Sequence, residues 1–485
     1  VTPRLNGEKF YDKPPLFNWL VALSFLIFGF TEFAARLPAA LLGLGCVLFT
    51  YFLGRRMLNP LTGLLGGHIL ATGGEFIGLS IAVVHDMLLT FCITLTLYFF
   101  YRGYTDNIRR KTFITVSFAF AGFGVLAKGP IGLLLPALII GLFLLYKRNL
   151  GFLNELIRGW GIPLFLLISL PWYFLITMRN QDYLSYFFIQ QNLNNFFAFQ
   201  ESRHPEPLYY YIPTLLGVFF PWSLFLPVAF VHCFRKHPGK MSDETVFLLI
   251  WFATIFLFFS LASSKLPTYL LPSFPPLALL VALTWHDLIK NPNQGLRRGL
   301  LFTIVALFII LVGGLIYLQV SPPTRLTVKF GIDLKLLSYL GFLMMGCALT
   351  SLLSFLKRWY RVSFSSLVGL IAFGFIFTLV TILPTLNPYR STRQLGRELD
   401  SLLPQGEKLV FYRRLKDSTL FYTNRQAKVL NKEGFLEYLS SNRRVFGIAT
   451  KRHLEKLERI EGKIEGLYIV NQEGNTLLLS HRPSP

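Results

Sequence analysis

Apolar runs close to the roughly 20 residues that cross a bilayer recur from Ala39 to Leu383, separated by short basic or proline-rich links. This alternation constrains the fold more than any other feature, because no single soluble core could absorb so many runs. Composition agrees: 53% of the 485 residues are hydrophobic, 15% are charged and mean hydropathy is +0.51, far from an average soluble domain. The expected fold class is an all-α polytopic membrane protein.

The net charge of +22 does not point to nucleic acid, since Lys and Arg gather at the ends of apolar runs, where they report topology. Taking Arg55-Arg56, Arg109-Arg110-Lys111, Lys147-Arg148, Arg235-Lys236, Arg297-Arg298 and Lys357-Arg358 as cytoplasmic puts two runs between each neighbouring pair. Twelve spans follow, near 34–54, 61–80, 87–102, 112–127, 130–146, 160–178, 209–231, 245–262, 268–289, 299–320, 336–356 and 363–384. The run Pro14–Phe30 would begin and end outside, which predicts an interfacial helix. Val1 is not an initiator methionine, and a chain that starts outside is expected to follow an earlier span. Cys46, Cys92, Cys233 and Cys347 lie in or at the end of apolar runs, with no CxxC pair, so neither a disulfide framework nor a cysteine metal site is expected.

After Asn387-Pro388 the composition turns charged and mixed. Strand-like runs at Lys408–Tyr412, Arg444–Ile448, Leu467–Val470 and Thr476–Ser480, with helical periodicity over Ser391–Leu403 and Lys432–Leu439, predict a small outward α/β domain over 387–485. The membrane body is then 1–386. No P-loop and no GxGxxG after a strand occurs, so no nucleotide cofactor is expected.

The unusual polar residues share the outward face on this topology. Asp12 and Lys13 stand before Pro14-Pro15, held at headgroup height, where a lysine meets lipid phosphate; snorkelling alone would also explain it. Asp86 follows His85 between two apolar runs, where it needs a partner, a proton or water. An ordinary helix-capping role is the alternative. Arg203 and His204 lie on a Pro-stiffened segment ahead of Tyr209–Tyr211. They suit phosphate binding, or a metal site shared with Asp12, although one histidine is weak support for a metal. Lys265 and Tyr269 flank Pro267; with Lys13 and Arg203 they could surround a phosphate in a water-poor site. Lys128-Gly129-Pro130 reads equally as such a group or as a snorkelling helix end.

At these residues the chain resembles the polyprenyl-phosphate-dependent glycosyltransferases of the GT-C fold, which include protein O-mannosyltransferases and lipid A aminoarabinose transferases. The resemblance covers most of the membrane body, through Thr2-Pro3-Arg4-Leu5-Asn6-Gly7, Tyr11-Asp12-Lys13-Pro14-Pro15-Leu16, Phe33-Ala34-Ala35-Arg36-Leu37-Pro38, Asp86-Met87-Leu88-Leu89-Thr90 and Lys265-Leu266-Pro267-Thr268-Tyr269. It is more specific to the superfamily than to the sugar. It implies transfer of a sugar from undecaprenyl phosphate to lipid A phosphate or another periplasmic acceptor at a bacterial inner membrane, 4-amino-4-deoxy-L-arabinose being one candidate.

Lys13 would contact the carrier phosphate. Asp12, standing where the family usually has glutamate, would join His204 at a divalent metal such as Zn, Mg or Mn. The family's principal catalytic aspartate, in an Asp-Glu pair ahead of the Thr-Pro-Arg motif, is expected before Val1, leaving Asp86 to take a proton or orient the acceptor. The last hundred residues resemble the family's outward domain only loosely. The competing class is a lipid-linked sugar flippase or transporter, which should carry charges near the bilayer midplane rather than at one face.

Overall fold

The computed structural model describes residues 2–194, 204–236, 241–321, 333–404, 407–439, 445–461 and 467–481. Its first elements are a hairpin of β1 (Arg4–Leu5) and β2 (Glu8–Lys9), then α1 (Leu16–Phe28), α2 (Glu32–Met57), α3 (Pro60–Ala71), α4 (Gly74–Ser80), α5 (Asp86–Thr105), α6 (Arg110–Lys128) and α7 (Ile131–Tyr146). Among the described residues, nine helices are long and apolar enough to cross a membrane: α2, α5, α6, Gly161–Arg179, Asp243–Leu261, Pro267–Lys290, Gln294–Val320, Leu334–Leu356 and Tyr360–Asn387.

Three of the twelve expected spans take another form. The run 61–80 breaks at Thr72-Gly73 into α3 and the short α4. The run 209–231 becomes Leu208–Val218 and Trp222–Arg235, bent by 110° about Pro221, a residue that cannot donate a helix hydrogen bond. The run 130–146 forms α7, whose 16 residues reach only about 24 Å at 1.5 Å per residue. Hydropathy counts apolar residues but does not register where a helix stops.

Local chemistry sets the helix ends. Thr31 accepts from Ala34 N at 3.2 Å to cap α2, and Asn59 accepts from Thr62 N at 2.8 Å to cap α3, with Pro60 at its first position. Arg55 and Arg56 close α2, where cations oppose the helix dipole. α1 starts directly after Pro14-Pro15; it buries Phe17 and leaves Leu26 84% and Ile27 64% exposed.

The chain separates into two compact units. The first comprises 1–3, 10–312 and 343–372, and its centre is the helix Phe274–Lys290, in which Leu277 to Ala282 are wholly buried. Small residues bring neighbouring helices close: a methyl on Gly66 would strike Leu279, and one on Gly63 would meet the α2 backbone at Tyr51 and Arg55. α5 and α6 form the hairpin that positions the site. Their connection is only 106–109, tightened by Asp106 Oδ1, which accepts from Ile108 N and Arg109 N at 3.1 Å each. The helices contain 20 and 19 residues, so the first residue of α5 returns to the level of the last residue of α6.

The second unit comprises 4–9, 313–342 and 373–485. Its five-stranded sheet has the order β4 (Ala427–Leu430), β3 (Leu409–Tyr412), β5 (Phe446–Thr450), β7 (Thr476–Ser480), β6 (Tyr468–Glu473). β3 runs parallel to β4 and β5, while β7 is antiparallel to β5 and β6. Alternation sends Leu409 and Phe411 to one apolar cluster with Leu395 and Leu399, and Val410 and Tyr412 to another with Phe435 and Leu457. The edge strand β4 meets the β1–β2 hairpin: Asn6 Nδ2 donates to Ala427 O at 2.7 Å, and Ala427 N donates to Asn6 Oδ1 at 2.5 Å. Asn6 and Gly7 have φ of 55° and 87°, the conformation that a two-residue hairpin turn requires. Strand β4 and the helices Asp417–Thr423 and Lys451–Glu461 were not anticipated from sequence; they are short or strongly polar, without a long apolar period.

Candidate active site

The α5–α6 hairpin makes an ion pair that the sequence left open. Asp86, the first residue of α5, accepts from Lys128 Nζ at 2.6 Å, with the two side chains 16% and 11% exposed. Each charge also opposes its own helix dipole. Lys128 ends α6 because Gly129 follows at φ 84°, a conformation that glycine adopts without strain, and a methyl there would strike Phe187. The Lys128 ammonium also lies over the Tyr269 ring, 4.4 Å from its centroid, a cation–π contact that holds both in a low-water setting. Tyr269 is positioned by the turn Pro267–Ser273, its ring packed on Phe259 at 5.0 Å.

Two further titratable residues join this end of the bundle. His85 packs against Phe17 at 5.2 Å, and its Nε2 is buried with no hydrogen-bond partner among the described residues. Burial first, and then the nearby Lys13 charge, hold its pKa down to about 4. Lys13 is thereby brought into the same electrostatic neighbourhood. Glu75, on the short α4 outside the candidate spans, has a buried Oε2 without a described partner. Burial and then the Asp86 charge push its carboxyl up to about 7. Sequence reasoning missed Glu75; an acid beside Gly73-Gly74 within an apolar run was the signal that could have found it.

The remaining candidates divide. Asp12 Oδ1 accepts from Tyr186 OH at 3.1 Å, beside the packed rings of Tyr11, Tyr183 and Tyr186. Lys265 is 3% exposed, and its ammonium donates to Glu206 O at 2.9 Å and to Ala262 O. Its backbone N bonds His204 O at 3.0 Å, so Lys265 clamps the 204–206 segment to the end of Asp243–Leu261. Burial lowers the ammonium's proton affinity. His204 itself is exposed, and Arg203 lies outside the described residues. No group of three or more His, Cys, Asp and Glu side chains among the described residues could hold a metal ion. Asp12 and His204 alone supply too few ligands for a divalent cation.

The gathered set is therefore Lys13, Glu75, His85, Asp86, Lys128 and Tyr269. Two cations and a phenol can meet a phosphate, and two carboxylates can orient or deprotonate a hydroxyl. Lys128 Nζ already has Asp86 and Tyr269 as neighbours, so an entering phosphate would find a cation held in place rather than a swinging side chain.

The chain is similar to several known proteins. Residues 12–174 match the family model described as dolichyl-phosphate-mannose-protein mannosyltransferase. An uncharacterised protein of Aquifex aeolicus is 30% identical over 84% of this chain and 74% of its own length. The undecaprenyl phosphate-alpha-4-amino-4-deoxy-L-arabinose arabinosyl transferases of Pseudomonas fluorescens and Pseudomonas aeruginosa are each 30% identical, over 71% and 70% of this chain. The chain spans 60% and 61% of the length of those two enzymes. In fold it is similar to the crystal structure of ArnT from Cupriavidus metallidurans bound to undecaprenyl phosphate, with a TM-score of 0.83 at 20% identity, covering 100% of this chain and 91% of that one. With its membrane helices and its small C-terminal sheet, the chain has the GT-C fold of the ArnT structure, and over residues 12–174 it matches the mannosyltransferase family.

Proposed function

We propose that this chain transfers a sugar from undecaprenyl phosphate to a phosphate of lipid A at the periplasmic face of a bacterial inner membrane, with 4-amino-4-deoxy-L-arabinose as the sugar. The observation that carries the reading is the Asp86–Lys128 pair beneath Tyr269, with Lys13 close by, at one end of the α5–α6 hairpin. The names of the Pseudomonas relatives support the donor and the sugar.

In this reaction an acceptor oxygen attacks the anomeric carbon, and the bond from that carbon to the carrier phosphate oxygen breaks, its electron pair leaving with the phosphate. Negative charge is then more exposed on the leaving group. Lys13 and Lys128 meet it, and Tyr269 supplies a hydroxyl donor; such groups act most strongly where water is excluded and they are already oriented. An acceptor phosphate is ionised and needs no base. Asp86 then serves to hold Lys128 and to orient the acceptor.

A second reading, transfer to a Ser or Thr hydroxyl of a protein, is favoured by the family model over 12–174. It would need a carboxylate to take the hydroxyl proton, for which Glu75 and Asp86 are the candidates. A flippase is disfavoured, because these charges sit at helix ends rather than near mid-helix.

The test is transfer by the full-length protein in proteoliposomes carrying labelled undecaprenyl-phosphate sugar, offered lipid A or a Ser/Thr-rich peptide. Labelled lipid A supports the main reading and labelled peptide the second. Movement of label across the bilayer with no covalent product would replace both with a transporter.

A further inference from the structure

At the far end of the same hairpin, three arginines line one cavity. Arg55 and Arg56 close α2, and Arg102 lies in the last turn of α5; with Phe52 and Tyr98 they line a cavity of about 380 Å³. Arg102 is 16 residues past Asp86, or about 24 Å along the helix at 1.5 Å per residue. This is a different site from the one above.

None of the three arginines takes part in an ion pair among the described residues. No nearby carboxylate forms an ion pair with them: Asp106 accepts from two backbone N–H groups of the α5–α6 turn and feels the Arg102 and Arg56 charges only at longer range, and Glu244 takes the Tyr101 hydroxyl at 3.3 Å. Arg102 is fixed, its guanidinium 4.4 Å from the Phe113 ring centroid and its Nη1 donating to Tyr98 OH at 3.1 Å. Its Nε is buried and has no described hydrogen-bond partner, an arrangement that costs free energy unless an acceptor arrives. Topology explains why arginines lie at this end of the bundle. It does not explain why three, from two helices, line one cavity against their mutual repulsion.

We propose that this cavity binds a phosphate-bearing anion, the headgroup of an anionic phospholipid. Guanidinium forks match phosphate oxygens in pairs, and basic pockets between membrane helices suit such headgroups. The walls favour lipid over a free phosphate, because Phe52 is 40% exposed beside the arginines, where an acyl chain would cover it.

The experiment uses the full-length protein in vesicles of phosphatidylcholine alone, the same with phosphatidylglycerol, or phosphatidylcholine with inorganic pyrophosphate. Melting temperature and the lipid retained after extraction, counted by native mass spectrometry, are the readouts. Phosphatidylglycerol is expected to raise the melting temperature and to be retained. Arg55→Gln/Arg56→Gln, which leaves the Arg102 stack intact, should lower retention about tenfold or more without changing the melting temperature in phosphatidylcholine. The triple variant with Arg102→Gln should abolish retention. Equal behaviour with and without phosphatidylglycerol, or undiminished retention in the double variant, would overturn the site. Stabilisation by pyrophosphate but not by phosphatidylglycerol would overturn the lipid as occupant.

Discussion

Lys128 Nζ lies 2.6 Å from Asp86 Oδ1 although 42 residues separate them in the chain. The pair is mostly buried, so removing one partner strands a charge in a poorly solvated place. Lys128→Met is expected to cost about 2 kcal/mol, below the roughly 3–5 of a fully enclosed pair, while Asp86→Asn/Lys128→Met should recover part of the loss. Thermal unfolding in detergent measures this as a double-mutant cycle. Additive losses would mean that the pair is not coupled.

Lys13→Ala is expected to keep the parent's melting temperature and lower transfer at least about tenfold, since a charge-assisted hydrogen bond is worth about 1.5–3 kcal/mol and each 1.4 kcal/mol is tenfold in rate. Sugar transfer per folded protein is the measurement. Parental activity would reduce Lys13 to a topogenic charge.

His85 and Glu75 give opposite pH dependences. The folded protein holds His85 at about 4, below its ordinary 6.5, so the unfolded chain binds the extra proton and this contribution to stability rises from about pH 4 to 6.5. Glu75 is held at about 7, above its ordinary 4.5; the folded state binds the proton, and this contribution falls from about pH 4.5 to 7. Glu75→Gln should therefore steepen the rise of melting temperature between pH 4.5 and 6.5, and His85→Gln should leave a decline. Identical slopes in both variants and the parent would show that neither group is perturbed.

The orientation proposed for 387–485 is open to labelling. Cys46, Cys92 and Cys233 are buried and Cys347 is partly exposed, so Cys347→Ser supplies a quiet background. A cysteine at the exposed Ser401 should react with an impermeant reagent in cells whose outer membrane alone is opened. Reaction only after the inner membrane is breached would reverse the topology.

The positions of the apolar runs, the helical body and most of the C-terminal strands were legible in the sequence, because span length and the alternation of Leu409–Tyr412 are local properties. So were the residue types that attract attention: Lys13 before two prolines, Asp86 between apolar runs, Tyr269 after Pro267. Their partners were not legible. Lys128 read equally as a helix end, and only the matched lengths of α5 and α6, closed by the Asp106 turn, carry it to Asp86. Glu75 was lost within a run taken as one span, and the break at Thr72-Gly73 that frees it depends on packing. Lys265 read as one of the cations around a phosphate, and only the structure shows its ammonium held by the carbonyls of Ala262 and Glu206. Hydropathy and spacing determine which segments enter the membrane. Which charges meet at their ends was decided by the tertiary structure, because an ion pair depends on where two backbones finish in space.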